Sequence, residues 1–193
     1  QNQWSEAAQA FRKVTQLQPD NASAWRGLAD VLARLNREDE AIVALSKAVA
    51  IHPQDAAAWR ELGLLYQKRN NRPEAIAAFQ NVLRHRADDH ATQRDLGWLL
   101  WEEKQRDEGL KHLSDAVRGG VDAAAEVVFQ VVARLGEEGL GAQALKFMRE
   151  VDPHSSPADR AVDLVRADRV KAALPILQTL WSEGTRTTDV GVN

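Results

Sequence analysis

The stretch from Trp25 to Pro53 returns thirty-four residues later. Trp25, Leu28, Ala29, Leu32, Ala41 and Leu45 are answered by Trp59, Leu62, Gly63, Tyr66, Ala75 and Phe79, in the same order and at the same offsets. Self-similarity at a fixed period of this length marks a stacked helical array. Each unit in such an array is one supersecondary element that cannot bury its apolar face alone. That single feature excludes most folds before any other residue is considered.

Within the period, the spacing of apolar residues predicts pairs of amphipathic helices. Trp4, Ala7, Ala8, Phe11, Val14 and Leu17 recur at three- and four-residue steps and form one stripe, which Pro19 and Asp20 end. The pairs expected next run from Ser23 to Leu35 with Glu38 to Ile51, then Ala56 to Arg69 with Pro73 to His85. A third combines Ala91 to Glu103 with Asp107 to Arg118. Asn36-Arg37 and Asn70-Asn71 supply the turns within the first two pairs, and Gly119-Gly120 stops the third.

Beyond that the pattern loosens. Val128, Val131, Val132 and Leu135 line one helix, Gly136 to Gly141 are expected to turn, and Ala144, Met148 and Val151 line the next. A short helix near Ala158 to Arg166 and another from Arg169 to Glu183, kinked at Pro175, complete a fifth unit. The resulting division is a half unit over 1–21, regular units over 22–55, 56–89 and 90–123, and degenerate ones over 124–155 and 156–187. Residues 188–193 read as the start of a further element, so the chain is expected to be a segment of a longer array.

Composition narrows the function. The formal charge of −3 argues against a nucleic-acid binder, which needs a basic surface to neutralise phosphates. The absence of Cys removes thiolate catalysis, disulfides and cysteine-ligated zinc. No apolar run approaches the roughly 18 to 20 residues that span a bilayer, so no membrane insertion of this segment is expected. The compartment stays open between cytoplasm and bacterial periplasm.

No catalytic constellation emerges, and neither a metal nor another cofactor is expected. His85 and His90 flank a helix end and an inter-unit turn, and the remaining histidines are scattered. The glycines from Gly136 to Gly141 lack the preceding strand and the Lys-Ser/Thr of a phosphate loop. Asn21-Ala22-Ser23 spells a glycosylation sequon, yet helix-entry chemistry explains it.

The repeating set of Trp, Leu-Gly and Tyr on a first helix, with Ala, Phe and Pro on a second, resembles the tetratricopeptide repeat (TPR). The third unit keeps Leu96, Gly97, Leu100, Leu113 and Ala116 but has Gln93 and Gly109 at the Trp and first Ala positions. The resemblance covers residues 1 to 121 and fades afterwards. It implies an all-α fold: a right-handed superhelical solenoid of antiparallel helix pairs with about eleven helices.

It also implies that first helices line a concave groove. The residue after the signature Trp position then faces that groove: Arg26, Arg60 and Arg94, whose planar forks suit carboxylates on an extended peptide. Asp30, Glu61 and Asp95 lie near enough to neutralise them. Trp98 and Trp101 fall on the same side of their helix, and Phe129 is expected beside them as an apolar anchor. Self-burial and a partner are both open for this patch. Trp25 and Trp59 read instead as packing residues.

The Lys-Asn-Arg carboxylate clamp of chaperone-binding TPRs is missing, since Asp30, Glu61 and Asp95 stand in the corresponding places. The expectation is a non-enzymatic scaffold that binds a peptide or protein segment. Two narrower contexts remain beside it. One is a bacterial envelope or exopolysaccharide-export protein, where tryptophans stack on polysaccharide. The other is an array attached to a glycosyltransferase, sulfotransferase or kinase domain.

Overall fold

In the computed structural model, residues 2–183 are described, and they form eleven α-helices joined by short turns. No strand occurs among the described residues. The helices are α1 (Asn2–Leu17), α2 (Ala22–Arg34), α3 (Glu38–Ile51), α4 (Ala56–Lys68), α5 (Arg72–His85) and α6 (His90–Glu102). They continue as α7 (Arg106–Arg118), α8 (Ala124–Glu137), α9 (Gly141–Val151), α10 (Pro157–Arg166) and α11 (Val170–Ser182). The element expected at 188–193 lies outside the described residues.

The chain divides into two compact units, one up to Gly109 and one from Leu110 onward. In the first unit, consecutive helices pack against each other from α1 through α6. Three devices recur there at the thirty-four-residue step. Each first helix starts at a side-chain cap: the Ala24 N–H donates to Asn21 Oδ1 at 3.0 Å, Ala58 N–H to Asp55 Oδ1 at 3.1 Å and Thr92 N–H to Asp89 Oδ1 at 2.9 Å. Each first helix ends at a residue in the left-handed region, Asn36 (φ 57°), Asn70 (φ 57°) and Lys104 (φ 63°).

The residue after each of these donates its N–H back across the turn, Arg37 to the Leu32 carbonyl, Asn71 to Tyr66 and Gln105 to Leu100, at 2.8 to 2.9 Å. The third device involves the signature position itself. The indole N–H of Trp25 donates to the Pro19 carbonyl and that of Trp59 to Pro53, both at 2.8 Å. Gln93, which replaces Trp in the third repeat, donates from Nε2 to the Ala87 carbonyl at 3.2 Å. The substitution keeps the bond and gives up the ring. Trp25 and Trp59 are half-buried against the core formed by Leu28, Leu32, Leu45 and Leu62, as packing residues that also tie each first helix to the preceding turn.

Small residues set the closeness of the pairs. Ala41 and Ala75 are fully buried, and a Cβ on Gly63 would meet the Phe79 ring at 2.6 Å. Gly109 stands where those alanines do, and a Cβ there would meet the Gly97 carbonyl oxygen at 2.7 Å and the Trp101 nitrogen at 3.1 Å. The start of α7 therefore lies nearly on the backbone of α6.

In the second unit α11 is central and packs against α8, α9 and α10. Gly136 and Gly141, expected as parts of a turn, lie inside α8 and at the start of α9. Their reason is contact: a Cβ on Gly136 would collide with the Ala172 carbonyl oxygen, and one on Gly141 with the Pro175 carbonyl oxygen. The turn is shorter and centres on Gly139, at φ 78°. Pro175 sits within α11, and Thr179 Oγ1 donates to its carbonyl at 2.7 Å.

Candidate functional site

The caps and turns place α2, α4 and α6 in the same orientation, so the residues that follow the signature positions share one face of the first unit. Arg26 donates from α2 to Asp55 at the start of α4, Nη1 to Oδ2, at 3.0 Å. Arg60 reaches from α4 to Asp95 on α6 at 3.5 Å, and Arg94 holds the same Asp95 at 2.8 Å. The three arginines thus form a ladder whose rungs already carry acids. Asp55 serves twice, capping α4 with one oxygen and receiving Arg26 with the other.

Asp30, one of the acids expected to neutralise Arg26, pairs with Arg34 on its own helix at 3.2 Å. These partly exposed pairs each contribute only about 0 to 1 kcal/mol. Arg26 uses one donor of the five that a guanidinium carries, and its side chain is 44% exposed.

Glu61 differs from its neighbours. It is half-buried, and among the described residues no ion pair holds its carboxylate. Burial pushes its pKa above the ordinary value; Arg26 opposes the shift, while Asp30 and Asp55 add to it. Glu61 opens onto a hollow of about 360 Å³ between α2 and α4, walled by Ala29, Ala33, Leu45, Leu64 and Leu65 with Asp30 and Lys68 at its polar edge. Lys68 is held by Glu38 at 2.5 Å.

The aromatic residues of the expected patch belong to both units. Trp98 is half-buried, with its ring centroid 5.9 Å from that of Trp101 at a 49° tilt. Trp101 is only 8% exposed, with the Arg106 guanidinium 5.8 Å from its ring centroid. Self-burial is therefore the answer for Trp101, because the close approach of α7 at Gly109 brings Arg106 over the indole. Phe129 belongs to the second unit, where it is half-buried with Arg169 stacked 5.9 Å from its ring. Arg169 also pairs with Glu137.

A second surface was not anticipated. Trp25, Leu28, Leu32 and Val43, with Arg12 and Glu40 at the rim, line a hollow of about 370 Å³ on the second-helix side of the first unit. Its image one repeat on, of about 410 Å³, has Trp59, Leu62, Tyr66, Ala77, Ser46 and Glu74 in the same places. The repeat pattern implies such a pair, but the hollows depend on how far successive second helices stand apart, which sequence spacing does not state. Among the described residues, no group of His, Asp or Glu converges as a metal site, and no helix is long and apolar enough to cross a membrane.

Comparison with known proteins agrees with the devices just described. One tetratricopeptide-repeat family model matches residues 1–65 and another residues 60–126. The chain belongs to the tetratricopeptide-repeat superfamily. Together the two matches span the part of this TPR protein in which the caps and the Trp/Gln bonds recur.

No curated protein matches the sequence. Among solved structures, one of MamA superposes with a TM-score of 0.66 at 18% identity, covering 77% of this chain and 86% of that one. A second MamA structure gives 0.67 at 16% identity, with 86% of each chain covered. YrrB, a TPR protein with an unusual peptide-binding site, gives 0.62 at 25% identity over 89% of this chain and 91% of its own. The MamA likenesses establish the helical-repeat fold.

Proposed function

We propose that this TPR chain is a non-catalytic protein-interaction scaffold that holds an extended peptide segment along α2, α4 and α6 of its first unit. The observation that carries this reading is the Arg26, Arg60, Arg94 ladder. Its guanidinium groups are anchored by Asp55 and Asp95 yet their side chains stay 30 to 44% exposed, at a regular step. Anchoring lowers the entropy lost when a ligand is bound, because the side chains are already oriented. Peptide carbonyls and carboxylates would accept from the remaining N–H groups, with Trp98 as the apolar wall at the α6 end.

The likeness to YrrB, whose peptide-binding site is part of its description, supports the class of ligand. The test is to pan a displayed random dodecapeptide library against the protein. The bound peptide is then mapped by backbone amide shifts. The expected map falls on α2, α4 and α6, and Arg60→Ala weakens binding by about tenfold, in line with loss of a charge-assisted hydrogen bond. A map confined to the hollows beside Trp25 and Trp59 would overturn the assignment of the face.

A further inference from the structure

The hollow between α2 and α4 has an unusual balance of charge for its shape. Each acid around it except one has a cation of its own. Asp30 has Arg34 at 3.2 Å and Asp55 has Arg26 at 3.0 Å, while the single lysine at the rim, Lys68, is taken by Glu38 at 2.5 Å. Glu61 is the remaining carboxylate, and it lines the same hollow as Ala29, Ala33, Leu45, Leu64 and Leu65. Apolar walls with a carboxylate left over suit a ligand group with a long aliphatic stem and a cationic head.

We infer that this hollow is a subsite for a lysine or arginine side chain of the segment that lies along the first-helix face. The inference rests on the proposed peptide-binding role of that face and adds the chemistry of the partner: the segment carries a basic residue, inserted between α2 and α4. The stem would lie against Leu64, which is 39% exposed, and the head would meet Glu61 with Asp30 alongside. A cation there also reverses the cost of keeping a charged carboxylate half out of water beside Asp30 and Asp55.

The next repeat shows why the subsite is local to this position. Thirty-four residues on, Asp95 stands in the place of Glu61 and Trp98 in that of Leu64. Asp95 already accepts from both Arg60 and Arg94, and Trp98 puts a half-buried indole, tilted against Trp101, at the position of Leu64. The preceding repeat has Gly27 in the place of Glu61 and Asp30 in that of Leu64. The leftover carboxylate and the apolar walls therefore coincide once in the first unit.

The test uses peptides selected from the dodecapeptide library on the wild-type protein. They are expected to share a Lys or Arg at one position, and replacing it by norleucine or citrulline should cost about tenfold in affinity, the scale of a partly desolvated ion pair. On Glu61→Gln, a conservative change at a half-buried site, the same replacement should cost less than about twofold. Leu64→Trp, which leaves Glu61 in place but puts an indole into the hollow, should also abolish the preference. Peptides that map to α2, α4 and α6 and lose affinity with Arg60→Ala, yet share no basic residue, would overturn the subsite and leave the peptide-binding face standing. Failure to select any peptide would overturn both.

Discussion

The two units of this chain stop their first helices in the same way, but α8 of the second starts differently from α2, α4 and α6. In the first, a left-handed residue at Asn36, Asn70 or Lys104 ends each first helix. In the second, Gly139 and Asp168 do the same, with the Leu140 N–H returning to the Leu135 carbonyl and Arg169 to Leu164, both at 2.8 Å. The starts diverge at α8, whereas α10 keeps a side-chain cap, Ser156 accepting from the Asp159 N–H. Counting thirty-four from the cap Asp89 reaches Ala123, which lies at φ 59° and makes no side-chain cap, and counting from Gln93 reaches Val127, which has no side-chain donor. The C-terminal stop is a backbone motif that tolerates several residue types, whereas cap and Trp/Gln bond each need a particular polar atom.

Close contacts at glycines are of two kinds. Gly63 faces a side chain, the Phe79 ring, while Gly136 and Gly141 face the backbone of α11, as Gly109 faces that of α6. A ring can shift by tenths of an ångström. A helix backbone moves only with everything packed on it. Gly136→Ala should therefore cost about 3 kcal/mol, the upper end for overpacking, in urea denaturation. Amide exchange should rise over residues 110–183 and stay unchanged in α2 to α5. A loss below about 1 kcal/mol would break the contrast.

Gly63→Ala should cost less, about 1 to 2 kcal/mol. Phe79→Leu on top of it should recover part of the loss, because Ala29 with Leu45 is the same pair of positions one repeat earlier. If the double variant is no better than the single, the repeats are not interchangeable even where they are most regular. Trp59→Phe keeps a ring but removes the donor to Pro53, for an expected loss of about 1 kcal/mol. Gln93→Leu should lose a similar amount if the shared element is the hydrogen bond. A thermal melt of each variant separates that from simple ring packing.

The smallest effect concerns charge. The carboxyl of Glu61 titrates above 4.5 in the folded chain, so the fold favours its protonated form. The stability this lends is fully present below the unfolded value and is lost as pH rises through the folded one. Burial sets the direction of the shift; Arg26 opposes it, and Asp30 and Asp55 add to it. Glu61→Gln should flatten that fall and leave the chain at pH 7 as stable as the wild type or more so, by a few tenths of a kcal/mol after screening. A variant clearly less stable at pH 7 would mean that Glu61 is held by a favourable partner, and the contrast with the saturated Asp95 would collapse.

The fold was legible because its signals are local and repeated. Pro19 and Pro53 end helices, Asn21 and Asp55 begin them, and the spacing of Leu28, Leu32, Leu62 and Tyr66 states which face turns inward. Gly136 was misleading for a physical reason. Glycine serves equally for a turn and for close approach, and only the position of α11 distinguishes the two. The arginine ladder was visible as a spacing, and Asp95 as one of its acids, but not Asp55, which Arg26 reaches twenty-nine residues on. Trp101 carried no mark of burial, since it follows Leu100 on a helix whose covering depends on Gly109 letting α7 approach.

What the sequence determined by itself is the period, and with it the helix pairs, their caps and their turns, because each is fixed by atoms a few residues apart. What only the tertiary structure decided is which carboxylates have cations. Asp30 turns to Arg34, Asp95 holds two arginines, and Glu61 is left facing an apolar hollow. That allocation depends on side chains meeting across helices, where a shift of an ångström changes the partner while leaving the repeat pattern untouched.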